Sequence, residues 1–188
     1  WTAAGGTNTF IGTAAGRQNS SGNSNTAVGR EASRSSLGDG HVAIGYQSGY
    51  SQTSGTGNTN IGYQAGYSNT TAADRTIIGY EAGEFSTGAA NTFLGLAAGK
   101  GTSGSSTGSY NTAIGKEAGL ALTSGGQNIL IGSSAGDSIT SGNNNIVIGY
   151  EADTSSATVS NTITLGNASS NLLRIPGLGS TDGHVLTY

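Results

Sequence analysis

The chain has 188 residues, of which 34 are glycine and 9% are charged, with one proline, no cysteine, no methionine and a net charge of −3. This composition excludes a disulfide-stapled scaffold and thiolate zinc sites, a collagen helix, which needs abundant proline, and a coiled coil, which needs charged heptads. Seven basic residues are too few to neutralise a phosphate backbone, so no nucleic-acid partner is expected. Apolar runs of only a few residues give no expectation of membrane insertion. The lack of Met leads us to expect a processed chain or a piece of a longer one.

In chain order, the first unit reads Asn8-Thr9-Phe10-Ile11-Gly12. The pattern of Asn, Thr, a variable residue, Ile and Gly returns at 25–29, at 41–45 opening with His41, at 58–62, and at 75–79 opening with Arg75. It continues at 91–95, 111–115, 128–132 and 145–149, and a looser copy, one residue longer, occupies 161–166. The closing glycines lie 16 or 17 residues apart, except for one interval of 20 that marks a small insertion within 100–110. Three residues after each closing glycine from Gly12 to Gly149 comes an alanine (Ala15, Ala32, Ala65, Ala82, Ala98, Ala118, Ala135, Ala152) or, once, Ser48, and in the last copy Ala168 follows Gly166 by two. A polar stretch rich in Ser, Thr, Gly and Asn then leads to the next unit.

A period of 17 without a helical stripe predicts an all-β chain, a parallel β-solenoid or β-roll of about ten 17-residue coils. The solenoid is expected over residues 1–169. Residues 170–188 depart from the repeat: Pro176 cannot donate to a ladder, and three glycines invite turns. They read as a cap or transition segment, and HVLTY (184–188) as one more strand. Strand alternation puts Thr9 and Ile11 on one face and Asn8 and Phe10 on the other. We expect the Ile/Val/Leu slot before the closing glycine and the following Ala slot to line the coil interior. The variable slot reads Phe10, Ala27, Ala43, Asn60, Ile77, Phe93, Ala113, Leu130, Val147 and Ile163, apolar in all copies but one. With one interior per coil, these residues are expected to face other chains.

The run NTAIGKEAG (111–119) and its siblings resemble the head repeats of trimeric autotransporter adhesins, left-handed parallel β-rolls with an AIG strand in each coil. The longer period here, with its polar spacer, is similar to repeats of bacteriophage tail fibres. NTITLGNASSNLLRIPGLG (161–179) resembles the stretch that often precedes a self-cleaving chaperone in such fibres. The resemblance implies a homotrimeric virion tail-fibre segment or extracellular surface fibre, with possible contact to host surface polysaccharide.

Several columns are candidate sites. Tyr46, Tyr63 and Tyr80 share one slot, and Tyr50 and Tyr67 another; each is either a strip for sugar rings or a set of mutually packed aromatics. The Asn column (Asn8, Asn25, Asn58, Asn91, Asn111, Asn128, Asn145) reads as bonds between neighbouring turns more than as a ligand row. Glu31, Glu81, Glu117 and Glu151 have no second acidic column beside them for glycoside hydrolysis, and the acids are too scattered for calcium. His41 and His184 lack partners at triad or metal spacing. No enzyme, metal or cofactor is therefore expected. The Thr column (Thr9, Thr26, Thr59, Thr76, Thr92, Thr112) suggests ice binding, but it shares the Ile face and is expected to turn inward.

The sequence thus predicts a structural and adhesive fibre segment, a phage tail-fibre shaft or head. Trimer and core packing falls to Phe10, Ile11, Ile44, Ile61, Ile77, Ile78, Phe93, Leu94, Ile114, Leu130, Ile131, Val147 and Ile148. The alternatives are the head of a bacterial trimeric adhesin and a monomeric ice- or polysaccharide-binding solenoid.

Overall fold

The computed structural model describes residues 6–170. The expected cap at 170–188, its additional strand and His184 lie outside the described residues, apart from Ser170. Ten three-residue strands follow in order: β1 (Thr9–Ile11), β2 (Thr26–Val28), β3 (Val42–Ile44), β4 (Thr59–Ile61), β5 (Thr76–Ile78), β6 (Thr92–Leu94), β7 (Thr112–Ile114), β8 (Ile129–Ile131), β9 (Ile146–Ile148) and β10 (Ile163–Leu165). They form one parallel sheet in strictly sequential order, joined by nine turns of a β-solenoid. The register is uniform: Phe10 pairs with Ala27, Ile77 with Phe93, and Leu130 with Val147. The insertion within 100–110 is absorbed between β6 and β7, where Thr92 still faces Thr112.

The strands are short because each coil must turn back on itself. The closing glycines mark one corner, with φ between 124° and 142° from Gly12 to Gly149. That region is open to glycine and closed to other residues. At Gly79 an added Cβ would sit 2.1 Å from the carbonyl oxygen of Gly95 in the next coil, so stacking too depends on a bare backbone there. Further residues in left-handed conformation make the remaining corners, polar ones such as Gln64 and Asp74 as well as Ala97 and Gly66.

Inside and outside differ from the sequence expectation. The middle residue of each strand points inward: Ala27, Ala43, Asn60, Ile77, Phe93, Ala113, Leu130 and Val147 are at most 1% exposed, and Phe10 packs partly buried against them. They meet the Ala slot, buried from Ala15 to Ala152, so that part of the expected interior is correct. The flanking residues point outward. Ile11, Ile44, Leu94 and Ile148 are exposed, and Ile61, Ile78, Ile114 and Ile131 are half-buried. The Thr column shares this outer face rather than turning inward. The cause is the period-2 alternation itself: burying the variable slot and its Asn neighbour forces Thr and Ile out together. In the last copy the register places Thr164, not Ile163, in the middle column, and Ile163 is exposed.

The interior is not uniform. One apolar cluster runs from Ala65 to Ala152 around Phe93, Leu130 and Ile139, and a smaller one joins Ala15, Ala27, Ala32 and Ala43. Between them the rod is filled by polar side chains, including His41, Gln52, Asn58, Asn60 and Asn69, all at most 1% exposed.

Candidate functional site

The Asn column is a hydrogen-bond ladder along the closing edge of the rod. Each Asn side-chain oxygen accepts the backbone N–H of the same slot one coil on. Asn25 donates to Asn8, Asn111 to Asn91, Asn128 to Asn111 and Asn145 to Asn128, at 2.8–3.0 Å. Each Asn amide nitrogen donates to a carbonyl at the far end of its own coil, as Asn58 does to Ala72 and Asn111 to Gly125 at 2.8 and 2.9 Å. The chain therefore puts a short side chain carrying both donor and acceptor where two backbone groups would otherwise be buried without partners.

Two coils depart from this pattern. His41 reproduces the acceptor with Nδ1, which takes the Asn58 N–H at 3.3 Å, and Gln52 Nε2 lies 2.9 Å from its ring nitrogens. That role requires a neutral imidazole, and burial indeed lowers the His41 pKa, against the opposing pull of the Gly55 carbonyl, Asp39 and the Asn58 backbone. Arg75 accepts nothing. Its own N–H donates to Asn58 at 3.1 Å, but its guanidinium offers no oxygen to the next coil. Asn91 compensates only on the donor side, its amide reaching both Gly88 and Gly108.

The tyrosines form two parallel stacks. Tyr46, Tyr63 and Tyr80 lie with ring centroids 5.3 and 4.8 Å apart, and Tyr50 stacks on Tyr67 at 5.0 Å. Arginine closes the start of each stack, with Arg30 5.6 Å from the Tyr46 ring and Arg34 5.3 Å from the Tyr50 ring. Arg34 also donates to the Tyr50 hydroxyl. Of the two arrangements open at the sequence level, the rings do pack on one another. Stacking covers the ring faces between successive coils, and the guanidinium groups of Arg30 and Arg34 cover the outer faces of Tyr46 and Tyr50.

Within the Glu column, Glu31 and Glu81 take part in side-chain contacts between coils. Gln47 donates to Glu31 at 2.8 Å and Gln64 to Gln47 at 2.9 Å. Lys100 bridges Glu81 at 2.6 Å and Glu84 at 3.1 Å, and its hydrogen bond to Glu81 leads in raising its pKa. Sequence reading missed Arg30, Arg34, Gln47 and Gln64. The signal was present, since each falls in the same 17-residue slot as a tyrosine or glutamate already singled out. Among the described residues, no group of three or more His, Asp or Glu side chains is placed to hold a metal ion, and no helix is long and apolar enough to cross a membrane.

The outer face of the sheet is one continuous surface. It carries two columns, Thr9 to Ile163 and Ile11 to Leu165, in which every residue is Thr, Val, Ile or Leu. No charge falls on it in ten strands. At strand spacing it extends for about 45 Å, with about 7 Å between the columns. No protein-family model matches the chain, nor does any curated protein or solved structure.

Proposed function

We propose that this chain is a structural segment of a fibre, a stiff rod whose copies associate side by side through the outer sheet face as a homotrimer. The observation behind this reading is the uncharged double column of Thr, Val, Ile and Leu, with Ile11 58% and Leu165 52% exposed at its two ends. Contiguous apolar strips of several hundred Å² mark interaction surfaces. A second copy is the occupant that fits a strip as long as the rod itself. The variable-slot residues are consumed by the intramolecular core, so association passes from them to Ile11, Ile44, Ile61, Ile78, Leu94, Ile114, Ile131 and Ile148. The setting is the one the repeat resemblance implies, a phage tail fibre or bacterial surface adhesin. There the polar turns form the outer surface that meets host polysaccharide.

A second reading draws on the same face. Thr9, Thr26, Thr59, Thr76, Thr92 and Thr112 stand in an outward column interrupted once by Val42, an arrangement that suits a monomeric ice- or polysaccharide-binding solenoid. Native mass by light scattering on a size-exclusion column separates the two. A mass near three chains supports the fibre. A folded monomer overturns it, and thermal hysteresis in that monomer would establish the second reading.

A further inference from the structure

Arg75 stands where most coils have asparagine, and its side chain is only 1% exposed. None of Nε, Nη1 and Nη2 has a hydrogen-bond partner. Burial lowers its pKa only to about 10, so the guanidinium stays charged at neutral pH. Burial is also the sole cause of that shift, and the ion pairs of the described residues involve only Lys100 and Lys116. An unpaired buried charge is among the most costly arrangements a fold can contain. Among the described residues no carboxylate pairs with it.

A second unpartnered group occupies the same slot one coil on. Along the edge ladder, the backbone N–H groups of Asn25, His41, Asn58, Arg75, Asn111, Asn128, Asn145 and Thr162 each find a side-chain acceptor in the preceding coil. Asn91 is the exception, because the residue below it is Arg75. The fifth coil thus holds a buried, unpaired cation, and the next backbone donor of the ladder, Asn91 N–H, has no side-chain acceptor where the other coils supply an asparagine or histidine.

We infer that this coil encloses a small monovalent anion of chloride size, held between the Arg75 guanidinium and the Asn91 N–H in place of the missing asparagine oxygen. Full enclosure selects an ion that sheds its water easily, chloride or bromide rather than sulfate. The role is structural: the ion completes the ladder between β5 and β6. The inference does not depend on how copies associate.

The test compares the native chain with Arg75→Asn in sodium gluconate and in sodium bromide at equal ionic strength. Bromide at about a hundredfold excess over its dissociation constant is expected to raise the native thermal midpoint saturably by roughly 5–10 °C. The variant, which regains its own side-chain oxygen, is expected to show no such rise. Crystals grown in bromide should show one anomalous peak per chain beside Arg75. Equal midpoints in both salts for the native chain, or water alone at that position in the bromide crystals, would overturn the inference.

Discussion

Asn128 accepts the backbone N–H of Asn145 at 3.0 Å while its own amide donates to Gly142 at 2.9 Å and to Asn111 Oδ1 at 3.0 Å. One buried side chain therefore ties three successive coils. Asn128→Ala leaves a backbone N–H and a carbonyl without partners in a dry interior, and we expect it to cost about 2–4 kcal/mol. Asn128→Asp keeps the acceptor but loses the donor and buries a charge, so it should cost more at neutral pH. Urea denaturation of the two variants checks the order.

His41 makes stability depend on pH. Its pKa is lowered in the fold, so the native state resists protonation more than the unfolded chain does. Stability is then full above the unfolded value of 6.5 and falls as pH drops from there through the lower folded value. Protonation turns Nδ1 from acceptor to donor and breaks the rung to Asn58. The Gly55 backbone, Asp39 and the Asn58 backbone oppose the shift, and none removes it. His41→Asn should flatten the pH dependence of the denaturation midpoint between pH 7 and 5.

Two glycines with positive φ should respond very differently to alanine. Gly79→Ala brings Cβ to 2.1 Å from the Gly95 oxygen at φ 142°, and we expect a loss of about 4 kcal/mol or more. Gly40→Ala has φ 69° and nothing within 4 Å, so only the left-handed backbone penalty of about 1–2 kcal/mol applies. Chemical denaturation of both variants separates stacking from local strain.

The outer face supplies a prediction independent of the core. Ile44 and Leu94 are 39% and 44% exposed, so Ile44→Lys with Leu94→Lys should fold as before. If copies meet on this face, native mass should fall to that of one chain while circular dichroism is unchanged. A mass still near three chains would place the contact elsewhere.

The period, the strand positions and the Ala slot were all legible in the sequence, because each recurs every 17 residues whatever its neighbours. The face assignment was not. In a tetrad such as Asn111-Thr112-Ala113-Ile114, hydrophobicity favours burying Ile114 over Ala113. What reverses the choice is Asn111, whose amide satisfies two backbone groups only from inside the coil. It carries Ala113 inward with it and leaves Ile114 outside. A composition-based reading sends asparagine to the surface, and its value here lies in hydrogen bonds that no hydropathy scale registers. The tyrosine columns were visible as columns, but ring-on-ring packing depends on the coil rise, which only coordinates give.

The insertion within 100–110 leaves Thr92 opposite Thr112, so one turn can grow without disturbing the strands on either side of it. The same independence holds for whole coils, since each touches only the one before and the one after. Adding or deleting one unit changes rod length by about 4.8 Å and leaves the other side-chain environments as they were. Reach is thereby heritable as copy number. Recombination between neighbouring repeats can retune it in uniform steps, with no need to redesign a core.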